Sequence, residues 1–211
     1  MYIASQWLAQ QAYTEHWQRM QHYAQEVAQH QAPELLWGCE HAPIYTTGKR
    51  AQDNRVQTQL PAPLIITDRG GETTFHGFGQ LMLYPIMHLS QRKLGVRAYV
   101  HILEQSIITL LQKHHIKAQQ RCGFPGVWTE QGKIAALGIR IRRGVAYHGM
   151  ALNVSTDMRY FQAIQPCGLQ AQAVNMCTLS PHTPELPILF EQWCCIMQEQ
   201  FHTNLQQKAD T

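Results

Sequence analysis

Two side chains in this sequence are placed for nucleophilic chemistry. Cys167 lies in Gln165-Pro166-Cys167-Gly168-Leu169, a loop context in which a thiol is more accessible than on a helix face. Lys133 directly follows Glu130-Gln131-Gly132 and opens the apolar run Ile134-Ala135-Ala136-Leu137. An ammonium close to a thiol favours the thiolate, the reactive form, and a lysine of lowered pKa moves protons. Spacing alone does not bring the two together, and a lysine at a strand start ordinarily faces solvent. The third feature is Arg69-Gly70-Gly71-Glu72-Thr73-Thr74-Phe75-His76-Gly77-Phe78-Gly79-Gln80, between the apolar runs 64–66 and 81–85. Glycine lets backbone approach a ligand closely, so a Gly-rich turn between two buried strands is a candidate pocket floor. Gly pairs equally make ordinary turns. Neither phosphate-binding glycine spacing is present, so no nucleotide is cradled by those routes.

The other thiols and the imidazoles offer less. Cys39, Cys122, Cys177, Cys194 and Cys195 form no Cys-x-x-Cys pair, and the spacing is not that of a zinc finger. A chain with an ample apolar core has no need of disulfides, so the cysteines read as reduced thiols, with Cys194 and Cys195 inside a helix. The 12 histidines are scattered without a His-Glu-x-x-His, which makes them surface or core residues and implies no metal.

The elements that must position these residues follow from periodicity. Tyr13, Trp17, Met20, Ala24 and Val27 recur at helical steps, which predicts a helix over residues 12–30. Residues 35–40 and 43–50 read as strands, and 51–63 as an exposed loop. Residues 64–67 enter the Gly-rich stretch as a strand and 81–86 leave it as another. Tyr99, Ile102, Leu103, Ser106, Ile107, Leu110 and Leu111 mark one face of a second helix. Residues 127–129 and 133–141 flank a hairpin turn, and Ile139 and Ile141 alternate with Arg140 and Arg142. A turn at Arg142-Arg143-Gly144 leads into a strand over 146–154, with His148, Met150, Leu152 and Val154 on one face. A last helix is expected over 187–201, followed by a polar, fraying tail. Helices at both ends and in the middle of a strand-rich chain give an α/β (α+β) fold with a mixed sheet.

Length and composition bound the class. At 211 residues, 45% hydrophobic and 15% charged, the chain fits a single domain over 1–211 with a sizeable core. A net charge of +3 is too weak to argue for nucleic acid but is compatible with an acidic protein partner, for which Lys49, Arg50, Arg140, Arg142 and Arg143 are candidates beside the alternative of a solvated face. The sequence has no 18-residue apolar run and no secretory signal, so no membrane span is expected and the expected setting is cytoplasmic.

A resemblance sharpens this. Arg-Gly-Gly-x-x-x-x-His-Gly-x-Gly-Gln at 69–80 resembles the signature of the lipoyl (octanoyl) transferases. Three further segments agree in order: Trp37-Gly38-Cys39-Glu40-His41-Ala42-Pro43 with Thr46-Thr47-Gly48, Gly126-Val127-Trp128 with Lys133-Ile134-Ala135-Ala136-Leu137-Gly138, and Tyr147-His148-Gly149-Met150-Ala151-Leu152-Asn153 with Pro166-Cys167-Gly168. The likeness covers most of residues 10–200. It departs at Phe78, where the family usually has proline; added bulk there bears on acyl chain length.

The resemblance implies an octanoyl-acyl carrier protein donor, and as acceptors the lipoyl domains of 2-oxoacid dehydrogenase complexes and the glycine cleavage H protein. It makes Cys167 the acyl-thioester nucleophile and Lys133 the group that activates it. It assigns Arg69, Gly70, Gly71, Glu72, Thr73, Thr74, Phe75 and His76, then Ala136, Leu137 and Gly138, then Gly149, Met150 and Ala151, to the acyl pocket. No cofactor is implied. The implied fold resembles the catalytic domain of biotin and lipoate ligases. Thioester exchange followed by amide formation needs no ATP, and covalent catalysis splits the transfer into two easier steps. Small residues such as Ala135 and Ala136 would leave room for the acyl tail, backbone N–H groups near Leu137 and Gly138 would face an oxyanion, and His76 and His148 would line the wall. The rivals are an ATP-dependent lipoate-protein ligase, separated by an absolute ATP requirement, and a non-catalytic acyl-binding protein, separated by the indifference of any activity to Cys167→Ser.

Overall fold

The computed structural model describes residues 3–48, 59–164 and 172–209. In chain order the elements begin with β1 (Ala4–Gln11), α1 (Tyr13–Ala28), β2 (Leu35–His41) and β3 (Ile44–Gly48). There follow β4 (Leu64–Thr67), β5 (Thr74–His76), β6 (Gln80–His88) and α2 (Val96–Lys113). The second half holds β7 (Gln119–Arg121), β8 (Phe124–Trp128), β9 (Lys133–Arg142), β10 (Val145–Asn153), α3 (Met176–Leu179) and α4 (Leu186–Ala209). Among the described residues the strands form a seven-stranded sheet, β1-β2-β6-β10-β9-β8-β7, and a three-stranded sheet, β4-β3-β5. In the large sheet β1 and β2 run parallel and the remaining neighbours antiparallel.

The central strands β6 and β10 are buried along their whole length because both faces are covered. Alternation sorts their side chains. Leu81, Leu83, Met150, Leu152 and Val154 pack against Leu103, Ile107 and Leu110 of α2 and Trp193 and Met197 of α4. Met82, Tyr84, Ile86, Tyr147 and Ala151 face the opposite side, against Met20, Ala24 and Val27 of α1. A third cluster, Tyr45, Phe75, Ala163 and Ile164, lies under the small sheet. Gln198 of α4 clasps the chain near its start, accepting from the Ile3 N–H at 3.0 Å and donating to its carbonyl.

The β9–β10 hairpin turns on Arg143 and Gly144, both at positive φ (50° and 79°), as a two-residue primed turn requires. The β8–β9 turn is tied by Thr129, whose hydroxyl accepts from the N–H groups of Gln131 and Gly132.

Three expectations need correction. The strand entering the Gly-rich stretch is not buried: β4 is the outer strand of the small sheet and, among the described residues, nothing packs over Ile66, which is 64% exposed. His148 does not share a face with Met150, Leu152 and Val154. Its φ of 59° breaks the alternation, so its ring stacks beside Tyr147 at 5.2 Å and both side chains reach Asp68. The last helix continues past 201 to Ala209, a stretch with neither glycine nor proline to stop it. Of the loop expected over 51–63, residues 51–58 lie outside the described residues.

Candidate functional site

A cavity of about 300 Å³ opens on the α1 side of the large sheet. Tyr13 of α1, Met82 and Tyr84 of β6, residues of β9 and β10, and the segment after Asp68 line it. Ala136 and Ala151 are paired across β9 and β10 on this side of the sheet; Leu137 and Met150, the next pair, pack with the α2 core and also reach the lining.

The Gly-rich segment crosses β9. The Gly70 N–H donates to the Ile139 carbonyl at 2.9 Å, and a Cβ on Gly138 would lie 2.9 Å from the Gly70 carbonyl oxygen, so the crossing demands glycine there. Arg69 is buried and saturated by oxygen acceptors. Nε and Nη2 donate to Thr46 Oγ1, Nη2 also to the Thr46 and Glu72 carbonyls, and Nη1 to the Gly70 carbonyl. Thr46 Oγ1 in turn donates to His76 Nε2 at 3.1 Å, and His76 Nδ1 donates to Gln80 Oε1 at 2.9 Å. Burial, with the Arg69 charge beside it, pushes His76 well below the usual imidazole range, which matches a ring with one acceptor and one donor nitrogen.

A second polar hub is Asp68. Its carboxylate accepts from His148 Nε2 at 2.9 Å, Trp17 Nε1 at 2.8 Å, Gln21 Nε2 at 3.2 Å and the Tyr147 hydroxyl. Burial alone would raise this carboxyl, but the hydrogen bonds from His148 and Tyr147 hold it well below the ordinary range. Burial lowers His148 as well, so a neutral imidazole donates to a carboxylate. Behind these, His41 donates from Nδ1 to the Gln11 carbonyl, accepts the Tyr84 hydroxyl on Nε2, and is lowered by burial to about 4. His16 packs against Trp37, His41 and Tyr84, and neither ring nitrogen has a partner among the described residues. Burial pushes Tyr13, stacked on His76, up to about 12.

Lys133 is half-buried rather than facing solvent. It lines the cavity, with Nζ 5.2 Å from the centre of the Trp128 ring and the stem passing over Gly126. The Gly126 N–H is held from behind by Glu104 Oε1 at 2.7 Å. The Lys133 backbone is bonded on both sides to the segment after residue 171: its N–H donates to the Gln172 carbonyl at 2.9 Å and its carbonyl accepts from Val174 at 3.1 Å. Phe161 and Ala173, on either side of residues 165–171, both line the cavity. Cys167 itself lies outside the described residues, as do Lys49 and Arg50.

Of the residues singled out from sequence, Arg69, Gly71, Glu72, Thr73, Thr74 and His76 line the cavity. So do Lys133, Ala136, Leu137, Gly138, Gly149, Met150 and Ala151. Gly70 and Phe75 do not: Gly70 is spent on the β9 crossing, and Phe75 stacks on Tyr160 under the small sheet at 4.3 Å. Ala135 faces the α2 side and makes no room in the cavity. Phe78 is 50% exposed and outside the lining. Arg140, Arg142 and Arg143 are exposed. Sequence reasoning missed Tyr13, Met82, Tyr84 and Asn153. Tyr13 was hidden in a stripe that read as helix core, whereas the alternation of β6 already put Met82 and Tyr84 on one face. Among the described residues no group of three or more His, Cys, Asp or Glu is placed to hold a metal ion, and no helix is long and apolar enough to cross a membrane.

Comparison with known proteins places this architecture. A family model, the lipoyl protein ligase A/B catalytic domain, matches residues 12–201. Proteins named octanoyltransferase from Shewanella oneidensis and Shewanella halifaxensis are each 41% identical over 170 residues, 81% of this chain and 78% and 77% of theirs. Among solved structures, lipoate-protein ligase A bound with ATP superposes with a TM-score of 0.70 at 12% identity, covering 96% of this chain and 95% of that one. Biotin protein ligase from Aquifex aeolicus with biotin and ATP gives 0.59 at 10% identity, covering 94% and 70%. At such identities these two likenesses are of fold.

Proposed function

The chain belongs to the lipoyl protein ligase A/B catalytic domain family, and from that premise we propose that it is an octanoyltransferase of protein lipoylation, carrying the acyl group through a thioester on Cys167. The enzyme is an acyltransferase acting on lipoyl-domain acceptors. We take residues 1–211 as one catalytic domain. The donor in this reading is octanoyl-acyl carrier protein, and the acceptors are a lysine of the lipoyl domains of 2-oxoacid dehydrogenase complexes and of the glycine cleavage H protein. A cytoplasmic setting belongs to the same reading, in which the five described cysteines stay as unpaired thiols.

One observation carries the mechanism: an apolar cavity has Lys133 in its wall, and the backbone of that lysine holds the segment that follows Cys167. The ammonium favours the Cys167 thiolate. The thiolate attacks the donor carbonyl carbon, a new C–S bond forms, and the carrier thiolate leaves as its own C–S bond breaks. The thiol proton passes by way of Lys133 to the departing sulfur. In the second half the acceptor amine attacks the Cys167 thioester, a C–N bond forms, the C–S bond breaks, and the nitrogen gives its proton by way of Lys133 to the departing Cys167 sulfur. The first half exchanges one thioester for another at little free-energy change, and the second runs downhill to an amide. The methylene chain lies along Met82, Leu137, Met150 and Ala151, where burial favours it by roughly 0.8 kcal/mol per CH₂.

The test is intact mass after mixing the protein with octanoyl-carrier thioester, without acceptor and without ATP, beside Cys167→Ser. An octanoyl adduct on the wild type alone is expected. No adduct on the wild type, with transfer to a lipoyl domain only when ATP is added, refutes the thioester route in favour of a ligase.

A further inference from the structure

The hydrogen-bond chain that starts at Arg69 has a direction, and it ends in the cavity. Guanidinium nitrogens only donate, so Thr46 Oγ1 must accept from Arg69, leaving its hydrogen for His76 Nε2. His76 then carries its proton on Nδ1 and gives it to Gln80 Oε1. That fixes the Gln80 amide, whose Nε2 donates to Asn153 Oδ1 at 2.8 Å and to the Phe75 carbonyl at 3.2 Å. Asn153 is therefore held with its carbonyl toward Gln80 and its amide nitrogen outward. Asn153 is 4% exposed and lines the cavity, yet its Nδ2 has no hydrogen-bond partner among the described residues. It stands at the Lys133 end, because its neighbour Leu152 pairs with Ala135, two residues from Lys133.

We propose that Asn153 Nδ2 is an oxyanion donor for the acyl carbonyl, oriented in advance by the Arg69–Thr46–His76–Gln80 chain. The inference rests on the thioester reading above. Both half-reactions move a carbonyl electron pair onto oxygen as sulfur or nitrogen attacks carbon, and that pair re-forms the C=O bond as the C–S pair departs on the leaving thiolate. A donor already fixed in place stabilises this charge without reorganising.

The test compares two reactions of the same thiol. Octanoyl loading of Cys167 passes through an oxyanion; alkylation of Cys167 by iodoacetamide does not. In Asn153→Ala and Asn153→Leu, loading is expected to fall by about a hundredfold, the usual loss for one oxyanion donor, while alkylation keeps the wild-type rate. Asn153→Leu keeps the side chain's volume without adding charge beside Lys133, so it supplies a folded variant if the alanine does not. A fall in loading of less than about tenfold, or a parallel fall in alkylation, overturns the proposal. A wild type that never loads overturns the thioester reading itself, which is a different result.

Discussion

Replacing His16 by leucine should stabilise the protein, and by more in acid than at neutrality. The imidazole is 2% exposed, is enclosed by Trp37, His41 and Tyr84, and has no partner on either nitrogen among the described residues. Leaving buried polar groups unpaired costs roughly 1–3 kcal/mol, and an apolar residue of similar size removes that cost. Charge adds a second effect. Burial, then the neighbouring His41 and Arg19, lowers His16 from 6.5 to about 3. A base whose folded pKa is depressed binds its proton in the unfolded chain and refuses it in the folded one, so its presence costs stability as pH falls below about 6.5. At pH 5 that is 1.5 pKa units, roughly 2 kcal/mol. The leucine variant escapes it, so its advantage should widen by about 2 kcal/mol between pH 7.5 and pH 5, or about 4–8 °C in a chain of this size. Thermal melts of both proteins at the two pH values make the measurement. A variant less stable than the wild type at pH 7.5, or an advantage that does not change with pH, would refute the reasoning.

Other substitutions probe the frame around the cavity. Asp68→Asn removes the charge that four donors converge on and should cost about 3 kcal/mol in urea unfolding at pH 7, at 1.5–3 kcal/mol for a hydrogen bond to a charged group. Since the Asp68 carboxyl is depressed, its stabilisation exists above its unfolded pKa near 4 and fades as pH falls through the folded value, so the gap between the two proteins should close below about pH 4. Gly38→Ala would set a Cβ 2.3 Å from the buried Phe190 ring and should lower stability by about 1–3 kcal/mol, read from the same unfolding curves. Ala136→Leu intrudes on the cavity wall and should cut kcat/KM for octanoyl transfer by about tenfold or more while sparing a butanoyl donor, measured on carrier thioesters of both lengths.

Periodicity carried the strongly patterned elements. The Tyr13–Val27 stripe, the apolar run of β6 and the Ile-Arg alternation of β9 each reported which side of the chain meets the core. β1 left no such trace: Ala-Ser-Gln-Trp-Leu-Ala-Gln-Gln mixes polar and apolar residues without strict alternation, and its strand state is imposed by pairing with β2 at the sheet edge. The second sheet was equally hidden, because three short strands of mixed polarity carry no signal of which partners they choose. Within the site, motif spacing reached the Gly-rich crossing and Lys133. It missed the face of His148, which depends on one backbone angle, and the exclusion of Phe75, which depends on Tyr160 far along the chain. Asn153 passed as an ordinary strand residue; its meaning lies in a proton order running through three other elements.

The clasp between Gln198 and Ile3 also sets a timetable for synthesis. β1 precedes α4, which packs over β1, β2 and β6, by nearly the whole of the described chain. At 5–20 residues per second, roughly 10–40 s separate the two on the ribosome. From the completion of β10 until α4 follows, one apolar face of the large sheet has α2 over it without α4, which makes the nascent chain a client for whatever shields exposed hydrophobic surface in the cell.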